Sequence, residues 1–242
     1  MKPKALILGA ALLGLASTGW SQVGQEVTPF SRSYFASASE VILSLANTGN
    51  VKLYDAQGLA LGESSPNPIP RFSAFFHVGT QFHMNVNNGF GFYTGLGLRN
   101  VGMINRLSDS IRVKQRAYAV ALPVALKLGN MGRKSYLALG AEAEYFFHYK
   151  QKTFVGSGRG DKREKSSQWF SNRVIPFNPS VFIEMNFGRG HYFRFKMYLD
   201  SFLNNGVEQS YTVNGTKTIF KTNQSQLFVL SYGRVVSKKK KQ

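Results

Sequence analysis

Residues Phe72–Val86 (FSAFFHVGTQFHMNV), followed by Asn87-Asn88-Gly89 and Phe90–Arg99 (FGFYTGLGLR), decide how the chain is read. One parity of the first run is Phe72, Ala74, Phe76, Val78, Thr80, Phe82, Met84 and Val86, and the other is Ser73, Phe75, His77, Gly79, Gln81, His83 and Asn85. Successive side chains of a strand point to opposite faces, so this alternation separates an apolar face from a polar one. Sustained beyond the ~5–6 residues of an ordinary strand, it has the length that a tilted membrane-crossing strand needs. Asn-Asn-Gly supplies a tight turn, and Phe90–Arg99 repeats the alternation with glycines and Arg99 on the polar side.

Further strands follow from the same period. Tyr118–Leu128, Leu137–Tyr149, Phe177–Phe187 and Phe193–Leu199 alternate clearly. Ser225–Val235 gives a last strand of ambiguous facing, and Glu40–Thr48, with Val41, Leu43 and Leu45 on one parity, gives a weaker first one. Eight antiparallel strands, an even number, predict an all-β, up-and-down transmembrane β-barrel. Connections alternate in length: Gly49–Pro70, Lys150–Asn172 and Leu203–Gln224 are long, the stretch around Asn105–Ile111 is modest, and the others are tight turns. In such barrels short turns face the periplasm and long loops face outward, which places both termini in the periplasm. A soluble sandwich shares the alternation without predicting this asymmetry of loops.

Composition agrees. The 242 residues suffice for one domain, with 43% hydrophobic, 14% aromatic and 17% charged residues, a balance too apolar for disorder. Zero Cys excludes disulfides, thiolate metal sites and cysteine nucleophiles. Lys2 and Lys4 precede an apolar run, Ala5–Leu15, and small residues at Gly19 and Ser21. The pattern reads as a signal peptide over residues 1–21, followed by an N-terminal periplasmic segment over 22–37, the barrel over 38–235 and a basic tail over 236–242. The formal net charge of +18 would ordinarily raise nucleic acid as a partner, but an export signal redirects it to anionic lipid or an envelope polymer.

The polar parity collects Arg99, Lys127, Arg194 and Lys196 with Glu142, Glu144, Glu184 and Asp200. An eight-stranded barrel is filled by its own side chains, so these are expected as an interior charge network, mutually neutralised. The long-loop residues Lys150, Lys152, Arg159, Lys162, Arg163 and Lys165 are candidate contacts for lipopolysaccharide phosphates. Aromatics at Tyr145, Phe147 and Tyr149 mark one interfacial girdle, and Phe90, Phe92, Phe187 and Phe193 the other. His77, His83 and His148 fall on polar faces without metal-ligand spacing, so neither metal nor cofactor is expected. No motif singles out a nucleophile, and the chain is read as a non-enzyme, a rim-located lipid hydrolase being the alternative from another class.

The segments Asn88–Gly102 (NGFGFYTGLGLRNVG) and Arg116–Lys127 (RAYAVALPVALK), with the Phe170–Arg173 element, resemble PorT-like outer-membrane β-barrel proteins. The resemblance implies a small envelope barrel. The chain is read as a structural or accessory component of the bacterial envelope that works through its loops and periplasmic end, with outer-membrane lipid, lipopolysaccharide and an envelope protein complex as expected partners. The alternative implication of the resemblance is an accessory factor of a protein secretion machinery. The resemblance carries no catalytic residues.

Overall fold

The computed structural model describes residues 31–156, 162–213 and 216–237. The expected signal peptide over residues 1–21, residues 22–30 and the tail lysines lie outside them. Eight strands close a ring: β1 (Ser33–Thr48), β2 (Val78–Asn85), β3 (Phe90–Ser108), β4 (Ile111–Asn130), β5 (Ser135–Val155), β6 (Phe177–Phe187), β7 (His191–Tyr198) and β8 (Ser225–Ser237). Every neighbouring pair is antiparallel, and β8 pairs with β1 from Ala36↔Ser237 to Thr48↔Ser225, which closes the barrel. Closure satisfies the backbone donors and acceptors that an open edge would leave bare in hydrocarbon.

The facing follows the alternation. Leu96, Val124, Leu139 and Phe195 stand outward, 60%, 55%, 49% and 46% exposed, among a belt that includes Leu43, Leu122, Ile183, Phe187, Phe193 and Leu230. In water such a contiguous apolar surface would drive association; around a closed ring it matches a bilayer's hydrocarbon. In β8, Leu227, Val229 and Ser231 face in while Leu230 and Tyr232 face out.

Three expectations are corrected. The first strand begins at Ser33, inside the segment read as periplasmic. The run Phe72–Val86 is not one strand: Arg71–Ser73 pairs with Ile42–Ser44, Val78–Asn85 pairs lower on β1, and residues 74–77 form a bulge that turns Phe75 and Phe76 outward, Phe76 at φ 64°, and keeps His77 buried. Four residues sit against two of β1, so the alternation resumes in phase. The gap near Asn105–Ile111 closes to a two-residue turn at Asp109-Ser110, because β3 and β4 pair far beyond the apolar belt.

The long connections are also strands. Lys162–Trp169 folds back on β5, and Val51–Tyr54, Ala60–Ser64, Gln209–Val213 and Thr216–Thr222 form a separate four-stranded sheet. Beneath it, Val51, Leu107, Val113, Tyr211 and Phe220 make a small apolar core. Lys221 of this sheet is held above the usual lysine pKa by its hydrogen bond to Glu208, 2.9 Å away. The barrel thus has a folded cap at one end and, at the other, short turns with the free ends of β1 and β8. Gly190, in one of those turns at φ 83°, packs where a Cβ would strike the Val235 carbonyl.

Candidate functional site

The middle of the barrel is filled with ions. Glu142 lies on β5, where its carboxylate accepts from Arg99 Nε at 3.0 Å and from Lys196 Nζ at 2.7 Å. Lys196 also donates to Glu144 at 2.8 Å, and the Tyr198 hydroxyl donates to the same carboxylate at 2.8 Å. Arg194 Nη2 reaches Glu184 Oε2 at 2.6 Å, where Tyr93 donates as well at 3.1 Å. These residues are all at most 6% exposed. Burying one such ion alone costs several kcal/mol, so each must find a counter-ion or hydrogen-bond partners within reach. Small residues make the room: a Cβ on Gly97 would lie 2.7 Å from the Arg99 guanidinium, and one on Gly233 would enter the Tyr192 ring.

Two residues of the expected set stand apart. Asp200 follows the end of β7 and is exposed, so it takes no part; the strand stops at Tyr198 before the alternation can turn it inward. Its place is taken by Glu40, which sits 3.5 Å from both Arg99 Nε and Arg194 Nη1 and accepts from Tyr192 OH at 3.0 Å. The signal was present in the sequence, since Glu40 has the parity opposite to Val41, Leu43 and Leu45. Lys127 is fully buried but contacts no carboxylate among the described residues: it donates to Asn85 Oδ1 at 2.7 Å and lies 5.3 Å from the Tyr136 ring.

Toward the cap the interior changes character. Ile42, Val101, Met103, Phe146, Phe202 and Leu203 form an apolar layer, followed by an amide layer in which Gln115, Tyr149, Gln151 and Gln209 exchange hydrogen bonds. Charge network, apolar layer and amide layer succeed one another across the lumen.

The rim at the capped end carries the cations. A bulge at Phe147, between the pairs Tyr118↔His148 and Ala119↔Phe146, reverses the facing of β5 beyond it. Tyr149, expected in the girdle, is therefore completely buried, and His148, expected inside, lies on the opposite face of β5, where neighbouring rings leave it 8% exposed. There its ring stacks between Trp169 at 4.2 Å and Tyr118 at 5.6 Å. One step further, Lys150 pairs in register with Arg116 on one side and Ser167 on the other; beyond that, Lys114, Lys152 and Lys165 lie side by side on three strands. Glu164 belongs to the opposite face and accepts from the Thr212 N–H at 2.7 Å. Sequence reasoning did not single out Arg112, Lys114 and Arg116, because they precede the apolar alternation, which begins only at Tyr118. Arg159 lies outside the described residues, and for Lys162 and Arg163 only the backbone is described.

A Ser–His pair does occur at this rim, His148 Nε2 and Ser167 Oγ at 2.9 Å, and a second, buried one joins His77 and Ser73 at 3.1 Å. Neither imidazole is hydrogen-bonded to a carboxylate among the described residues, and no cluster of metal-ligating side chains occurs among them.

No family model matches the chain, and no curated protein matches it. Among solved structures, the chain is similar to the outer membrane protein OprG from Pseudomonas aeruginosa, with TM-score 0.41, 8% identity and coverage of 84% of this chain and 96% of that one. It is also similar to Neisserial surface protein A (TM-score 0.32, 12% identity, 83% and 99% covered) and to Ail, the attachment invasion locus protein of Yersinia pestis (TM-score 0.30, 11% identity, 83% and 98% covered). The closed eight-strand ring and its facing, independent of these likenesses, establish the fold.

Proposed function

We propose that the protein is an integral barrel of the bacterial outer membrane, with a side-chain-plugged lumen, that serves the envelope as a structural or accessory component. Its capped end faces outward and its turn end, with both termini, faces the periplasm. The observation that carries this reading is the inversion of an ordinary globule: a wall whose outer side is Leu, Val, Ile and Phe around a centre of Arg, Lys and Glu. A plugged lumen leaves the cap and the two rims as the working surfaces, and the cationic outer face of β4 and β5 suits the phosphates of lipopolysaccharide, at about 1 kcal/mol per basic residue near an anionic surface.

Channel activity is disfavoured because the charge network and the layers above it occupy the lumen in succession. Purified protein in planar bilayers is expected to give no steady conductance; a stable open-channel current would refute the plugged reading. Membrane fractionation tests placement separately. The expected result is recovery with the outer membrane and a gel mobility that changes on boiling, and a soluble periplasmic pool would contradict it.

A further inference from the structure

The barrel wall has a gap. Residues 99–103 of β3 pair with β4 on one side only; on the other side Asn67–Ile69 pairs above them and Val78–Asn85 below. Arg71–Ser73, which should fill the interval, pairs instead with β1. Side chains take over the missing ladder: Ser44 Oγ donates to the Gly102 carbonyl at 2.7 Å, and Arg71 Nη1 donates to the Asn100 carbonyl at 3.1 Å. In front of this gap lies a cavity of about 260 Å³, several times the ~30 Å³ share of one water.

Its lining is unusual for a membrane wall. Arg71 is 2% exposed, donates through Nη2 to Asn100 Oδ1 at 2.8 Å, and leaves its Nε without a hydrogen-bond partner. Among the described residues no carboxylate forms an ion pair with it. Lys114 and Arg116 complete a cationic wall. Tyr118 closes the side, held edge-on by Phe76 at 5.4 Å. Around the mouth, Phe72, Phe75 and Phe76 are 65%, 74% and 57% exposed, continuous with the apolar belt.

A buried guanidinium with no counter-ion is expensive unless an anion from outside supplies one. Arginine's planar donors suit a tetrahedral oxyanion, and two further cations beside it favour a doubly charged one. The exposed phenylalanines beneath the mouth suit acyl chains. We infer that this gap is a binding site for the phosphate monoester of an outer-leaflet glycolipid, seated on Arg71, Lys114 and Arg116 with its chains along Phe72, Phe75 and Phe76. The inference rests on the membrane placement and the lipopolysaccharide-facing rim proposed above, and adds a defined site in the wall and the residues that hold the ligand.

The test uses the full chain folded in detergent micelles, with heat-modifiable mobility confirming the barrel in every sample. Native mass spectrometry then titrates diphosphoryl lipid A, the same lipid dephosphorylated, and inorganic phosphate. The phosphorylated lipid is expected to bind at least about tenfold tighter than the dephosphorylated one, the equivalent of one charge-assisted hydrogen bond. Arg71→Gln and the double variant Lys114→Gln/Arg116→Gln should each remove that preference, while Lys221→Gln in the cap should keep it. If Arg71→Gln does not fold, the rim double variant decides alone, because among the described residues its side chains make no hydrogen bond or ion pair, Arg116 only lying over the Tyr118 ring at 5.6 Å. Equal binding of the two lipids, or an unaltered preference in the double variant, would overturn the site. Displacement of the lipid by inorganic phosphate at equal concentration would overturn the lipid as its occupant. A protein without heat-modifiable mobility would count against the membrane reading instead.

Discussion

Arg194 and Arg71 are almost equally buried, 1% and 2% exposed, yet their surroundings differ completely. Arg194 sits in the lumen within 4 Å of Glu40, Glu142 and Glu184, whereas Arg71 sits in the wall with the carbonyl and side chain of Asn100. The first is neutralised by the chain itself and belongs to the plug. The second is held in place and left cationic. A buried charge in the same barrel is thus structural where carboxylates converge on it and available to a ligand where they do not.

Removing a partner from the lumen should give the largest effect. Glu142→Ala leaves Arg99 and Lys196 without their shared carboxylate, and breaking a buried pair on one side costs about 3–5 kcal/mol. The urea midpoint for loss of the heat-modifiable form should fall accordingly, and an unchanged midpoint would mean that the lumen is wet. A double replacement sharpens this. Arg194→Met combined with Glu184→Leu should lose less than the two single changes added together, by about 0.5–3 kcal/mol of coupling.

The wall arginine should behave differently. Arg71→Gln gives up the two hydrogen bonds to Asn100 but also removes an uncompensated buried charge, so its net cost to stability is expected within about 1 kcal/mol. A loss as large as that of Glu142→Ala would erase the distinction between the two arginines. Smallest of all, Asp200→Asn should shift the midpoint by less than about 0.5 kcal/mol, as exposed substitutions do.

How far these two regions were readable in advance differs too. Alternation alone identifies Arg99, Glu142, Glu144, Glu184, Arg194 and Lys196 as inward, because period two is the geometry of the strand itself. Asp200 fails because alternation cannot say where a strand stops. Glu40 was visible by parity but lay at the start of the weakest strand. The wall gap was illegible: it depends on a four-against-two bulge at residues 74–77 and on which of two neighbours Arg71–Ser73 chooses, and both are long-range properties. Tyr149 and His148 exchange faces for a similar reason, since one extra residue in β5 reverses everything beyond it. The cap strands are short, polar and separated by turns, so the alternation that reveals long lipid-facing strands hardly registers there.

The inverted wall is tested most directly by spin labels, which the absence of Cys makes simple to place. Single cysteines at Leu96, Val124, Leu139 and Phe195, with Leu59 in the cap as an aqueous reference, would be labelled in bilayer-reconstituted protein. At the four wall sites relaxation by oxygen is expected to exceed relaxation by a water-soluble nickel chelate, with the order reversed at position 59. Labels at those four sites that are reached by neither quencher, as in a dry shared core, would contradict the account.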